Sequence, residues 1–169
     1  QYASKHPDTY FWFDLFTNNQ NEISNKDFDW FSTTFRNTIE EIGQVLLVLS
    51  PWDDPMPIKR AWCLFEIHNA LEGSEVLLNV NLPSKEVGEL KAGVIADSEC
   101  IIKVLSDIQA EKAEAKNTYE RDLIFDVIKK SGGGFPYVNK QIKDGLRKWY
   151  ISQLESLIMQ EEKNSTLLM

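Results

Sequence analysis

Cysteine and histidine are scarce in this chain, two of each in 169 residues. Cys63 and Cys100 form no CxxC pair, and His6 and His68 are not spaced with them as metal ligands, so the pattern of a zinc site or a disulfide framework is missing. Both thiols read as small buried hydrophobes in a reducing compartment, which gives a cytoplasmic expectation. Long apolar runs are also lacking: none approaches the ~20 residues of a membrane span, so no membrane partner is expected. No signal peptide is recognisable at the start. Cationic excess is absent as well, because 18 Lys and Arg face 26 Asp and Glu, for a net charge of −8. That balance argues against a surface tracking the phosphates of DNA or RNA, although a local basic pocket is compatible with it. There is no starting Met, and "QYASKHPDTY" reads like the tail of a helix, so the chain is expected to be cut from something longer. No internal repeat is visible.

What is present is the composition of a folded globular protein: 43% hydrophobic and 26% charged residues. The length suits one domain with a real core and is short for two. "DTYFWFDLF" (Asp8–Phe16) is nearly continuous in apolar character, as in a strand buried on both faces, and only Asp14 interrupts it. A polar Asn-rich loop follows. Phe28, Phe31, Phe35, Ile39 and Ile42 then recur at helical spacing, with Ser24 or Asp27 as a cap and Gly43 as a stop. "QVLLVLS" reads as a second strand. The loop "PWDDPMP" holds Pro51, Pro55 and Pro57, so it is stiff. A helix is predicted from about Ile58 to Glu72, stopped by Gly73, and "SEVLLNVNLP" reads as a third strand. Alternating strands and helices predict an α/β fold with a parallel sheet.

Beyond Pro83 the chain turns mostly helical, starting from Ser84 as a cap. "SECIIKVLSDIQAEKAEA" fits a helix through Ile101, Ile102, Val104, Leu105 and Ile108, with a short edge strand over Ile108–Ala113 as the alternative. "TYERDLIFDVIKK" is amphipathic. "SGGGFP" is a turn. The last helix has Val138, Ile142, Leu146, Trp149, Leu154 and Leu157 as its apolar side.

The chemistry-bearing pattern lies past the second strand. At 100° per residue, Cys63, Leu64, Ile67, Ala70 and Leu71 make one stripe for the sheet, and Trp62 and Glu66, one turn apart, share its flank. A carboxylate beside an aromatic wall at the rim of a core suits acid/base or nucleophilic work. Crevices at strand ends are where open α/β sheets take ligands. Residue types alone favour Trp62 as a packing residue and Glu66 as a solvated acid or a partner for Lys59 or Arg60.

"YFWFDLF", "FRNTIEEIGQVLLVLSP" and "RAWCLFEI", in this order, resemble the TIR domain family. Trp62-Cys63-Leu64-Phe65-Glu66 matches the Trp-Cys-Leu-x-Glu block of its plant-type members. The likeness covers roughly residues 9–82, and the rest is similar to an extension in TIR-like proteins of protists and algae, where helical repeats often follow. The resemblance implies a flavodoxin-like, three-layer α/β domain over 1–97, lacking its first strand, and a helical extension over 98–169. It implies assembly with other TIR-like domains or further protein partners in signalling, with helical repeats downstream in the parent chain. The alternative it implies is NAD hydrolysis, with no cofactor and NAD as substrate. Glu66 would then be the catalytic residue, stabilising an oxocarbenium-like ribose while the cationic nicotinamide leaves. Trp62, Ser50 and Asp14 would contact the substrate. The loop "TNNQNEISNKD" lacks the Gly-rich character of the family's loop in that region, and the family's opening strand is not visible.

Other patterns carry less. "SGGGF" has no following Lys-Ser/Thr, so the Walker pattern fails. Asp53 and Asp54 in "WDDP" offer paired carboxylates, yet adjacent acids in a Pro-rich loop are usually solvated. His68 is expected toward the exposed side of its helix. Phe11, Trp12, Phe13 and Phe16 are expected in the core.

Overall fold

The computed structural model describes residues 8–11, 30–73 and 75–167. Asp14, the Asn-rich loop, the caps Ser24 and Asp27 and most of the aromatic strand expected over Asp8–Phe16 lie outside them; the described part, residues 8–11, forms no strand, and Phe11 is exposed and not in the core. A π-helical turn, Trp30–Phe35, leads into α1 (Arg36–Ile42), then β1 (Gln44–Val48), a 3-10 turn Met56–Lys59, α2 (Ala61–Glu72), β2 (Leu77–Asn81), α3 (Ser84–Ala96), α4 (Cys100–Ser106), a 3-10 turn Ala110–Lys112, α5 (Thr118–Lys130) and α6 (Gly134–Leu167). The fold is therefore mixed α/β and mostly helical.

The end of α1 is set by Gly43. Its φ of 71° is left-handed, and its N–H returns to the Ile39 carbonyl at 2.9 Å. A side chain there would strain the turn. The chain reverses into β1, which pairs in parallel with β2 in the register Gln44 to Leu77 through Val48 to Asn81. The Gly43 carbonyl accepts from Leu77 N at 2.9 Å and Leu49 N donates to the Asn81 carbonyl at 3.0 Å, lengthening the ladder at both ends. Strand, α2, strand is a βαβ unit, the arrangement the alternation predicted.

Helix α2 is more enclosed than a surface helix of such a unit. Ala61, Leu64, Phe65, Ile67, His68, Asn69 and Ala70 are all buried. The two strands take one side, while α1, α5 and α6 pack on the others. This corrects two expectations. His68 is buried, not exposed, because helices close over the face assigned to solvent. Cys63 and Leu71 are only half-buried, and Phe65 takes a place in the centre.

The segment after Pro83 is helical as expected. The alternative strand over Ile108–Ala113 is replaced by the 3-10 turn, because Asn139 of α6 accepts from Ala110 N at 2.7 Å and so occupies a donor a ladder would need. A single parallel bridge, Arg60 to Glu114, is all the pairing there. Asn117 caps α5 by accepting from Tyr119 N at 3.0 Å. Gly133 and Gly134, both at positive φ, mark the turn from α5 into the first residue of α6. Helix α6 has 34 residues. Val138, Ile142, Leu146 and Tyr150, four apart, bury its first half. They join Phe35, Leu47, Leu64 and Ile124 in one buried cluster.

Candidate functional site

The loop leaving β1 is tied down from three directions. Glu86, in the first turn of α3, accepts from Ser50 Oγ on one carboxylate oxygen and from Trp52 N on the other, each at 2.9 Å. Its side chain is buried, so these two donors replace the water it has lost. Tyr150 Oη, from α6, donates to the Trp52 carbonyl at 2.7 Å. Burial pushes the Tyr150 phenol well above its ordinary range, so it stays protonated as a donor. The Trp52 ring lies flush against Gly93 of α3, where a Cβ would overlap it. The Ser50–Pro51 peptide in this loop is cis. Ser50, expected beside a substrate, thus has its hydroxyl on Glu86.

Trp62 opens the flank of α2. Its Nε1 donates to Glu120 Oε2 of α5 at 2.9 Å, and the other oxygen of Glu120 accepts from Asn117 Nδ2 at 3.1 Å. The indole meets Phe35 edge-on, with ring centroids 5.4 Å apart. Phe35 in turn stacks on Phe65 at 5.6 Å. Trp62 therefore joins three helical segments. Glu66, one turn further on, is half-buried. Ser50 and Trp62 enter two hydrogen-bonded groups, one centred on Glu86 and one on Glu120. Asp14 lies outside the described residues.

A cavity of about 380 Å³ opens beside the loop after β1. Ile58, Val104, Ile108 and Ala113 give it a buried apolar floor, and the 53–60 and 107–114 segments supply a charged rim. Asp53 and Asp54 both line it, whereas Trp62 and Glu66 do not. Asp54 is paired with Lys59 Nζ at 2.6 Å. Among the described residues no group of three or more His, Cys, Asp or Glu side chains converges to hold a metal ion, and both cysteines are half-buried and outside any disulfide.

Glu86, Tyr150 and Glu120 were not singled out by sequence reasoning. An acid in the first turn of a helix is ordinarily read as a complement to the helix dipole, which hides Glu86. Tyr150 continues the spacing Val138, Ile142, Leu146 and was legible from that period. Nothing in the sequence links Glu120 to Trp62, 58 residues earlier.

No protein-family model, curated protein or solved structure matches the chain. No helix of the described residues is long and apolar enough to cross a membrane.

Proposed function

We propose that the chain is a TIR-like domain of the flavodoxin-like, three-layer kind, carrying its helical extension. It acts in cytoplasmic signalling by assembling with other TIR-like domains or further protein partners. The observation that carries this reading is the commitment of Trp62. Its one N–H is held by Glu120 and its edge lies on Phe35. An indole used this way is a strut between helices, and Ser50 is likewise engaged on Glu86. Part of what the described residues offer outward is helix surface. Ile151, Ile158 and Met159 of α6 are each at least half exposed.

The test is solution mass against concentration, by light scattering from about 5 to about 200 µM, the range in which micromolar association shows. The expected result is a weight-average mass rising above the 19.5 kDa of one chain. A mass constant at one chain throughout removes the support for homotypic assembly.

One observation favours a second reading, NAD hydrolysis. Glu66 is half-buried, one turn from an aromatic wall, on the helix that follows β1. A carboxylate so placed can stabilise the positive charge that develops on the ribose as nicotinamide leaves, with no general acid required. Incubation with NAD and chromatography for free nicotinamide tests it. Product formed by the native chain and lost in Glu66→Gln, with the circular dichroism spectrum unchanged, supports it. Absence of product from the native chain overturns it.

A further inference from the structure

We infer that the cavity beside the loop after β1 is a binding site for a small amphoteric molecule with an apolar body, of the class of a free leucine or phenylalanine. The inference is independent of the assembly reading and uses neither Trp62 nor Glu66.

Size comes first. A volume of about 380 Å³ falls at the lower end of small-molecule sites, which run from about 300 to about 1,000 Å³. At about 30 Å³ per water-sized group, it holds roughly a dozen heavy atoms.

The walls are fixed before any ligand arrives. On one side, Glu86 and Tyr150 hold Trp52, next to Asp53. On the other, Asn139 holds Ala110 N and also donates to Glu111 at 2.8 Å. The two sides are clipped together where Glu114 N donates to the Lys59 carbonyl at 2.8 Å and Ala61 N donates to the Glu114 carbonyl at 2.9 Å. A cleft braced on both sides spends little of its binding free energy on ordering itself.

The lining then selects the chemistry. The floor, Ile58, Val104, Ile108 and Ala113, is aliphatic, which favours an apolar body over a bare sugar or inorganic ion. The rim carries both signs. Lys59 and Asp54 neutralise each other. Arg60 and Lys112 have no ion-pair partner among the described residues, nor do Asp53, Asp107 and Glu114, although all five line one cavity. A purely anionic ligand would meet three unpaired acids and a purely cationic one two unpaired cations. A molecule with a carboxylate and an ammonium on neighbouring atoms can answer both.

The experiment is a titration of the full chain, followed by backbone amide chemical shifts, with L-leucine and L-phenylalanine. Phenethylamine and 3-phenylpropionate serve as the same body with one charge removed. The expected result is saturable binding of at least one amino acid, with shifts concentrated in 53–60 and 107–114. Each single-charge analogue should bind at least tenfold more weakly. The double variant Arg60→Ala/Lys112→Ala alters exposed side chains only and should keep the native spectrum while losing amino-acid affinity at least tenfold. Three outcomes overturn the inference: no saturable shift with either amino acid, shifts confined to another surface, or affinity unchanged in the double variant. Equal binding of 3-phenylpropionate would overturn the amphoteric class.

Discussion

His68 Nδ1 is a buried side-chain atom without a hydrogen-bond partner among the described residues. The ring sits on α2 with the Glu72 carboxylate and the Arg36 guanidinium as its charged neighbours. Burial lowers its pKa below 6.5; Glu72 opposes that shift in part, and Arg36 adds to it. The folded protein thus holds His68 neutral over a range where the unfolded chain binds a proton. The stability this confers is complete above the ordinary value and is lost as pH falls from about 6.5 through the depressed folded value, with a slope of at most ~1.4 kcal/mol per pH unit. Urea unfolding at several pH values between about 7 and about 5 should show this fall in the native chain. In His68→Leu, the part of the slope due to this ring should vanish. An identical pH dependence in both chains would mean that the imidazole titrates alike in the folded and unfolded states.

Helix α3 holds two glycines in opposite circumstances. A Cβ at Gly88 meets nothing within 4 Å, whereas one at Gly93 would overlap the buried Trp52 ring. Alanine gains up to ~1 kcal/mol over glycine in a helix interior. Overpacking a filled core costs about 1–3 kcal/mol. Gly88→Ala should therefore raise the unfolding midpoint and Gly93→Ala lower it, and chemical denaturation of the pair reads the difference of sign directly. The helix pattern alone cannot distinguish these two positions, since the contact at Gly93 comes from a loop some 40 residues earlier in the chain. The same limit holds elsewhere in the chain. Strands β1 and β2, the helix between them and the Gly43 stop were legible because each follows from local period or local backbone chemistry. The enclosure of α2 was not, because it depends on α5 and α6 folding back over a face that residue order leaves polar at His68 and Asn69. The candidate site divides the same way. Trp62 and Glu66 were recognisable as neighbours one helical turn apart, while the partners Glu86 and Glu120 come from segments that sequence spacing cannot bring near.

Long-range ties join segments far apart in the chain. Tyr150 reaches the Trp52 carbonyl across 98 residues of chain, and the Tyr150 side chain is fully buried. Val138, Ile142, Leu146 and Tyr150 together place four apolar bodies in the cluster that also contains β1 and α2. At ~1.5–3 kcal/mol for each large apolar side chain buried, the first half of α6 contributes on the order of 6–12 kcal/mol. That is comparable to the whole net stability of an ordinary domain, about 5–15 kcal/mol. The second half differs, because Ile151, Ile158 and Met159 stand largely in solvent. A chain ended after Leu157 should accordingly melt within about 3 °C of the full chain, since the described side chains beyond it, Ile158, Met159 and Lys163, are exposed. A chain ended after Ser131 should lose its cooperative transition and its near-ultraviolet circular dichroism, because β1, α2 and the Trp52 loop then lack the surface that closes over them. If that shorter chain melted cooperatively near the native temperature, α6 would be an appendage and the 35–130 segment a self-sufficient fold.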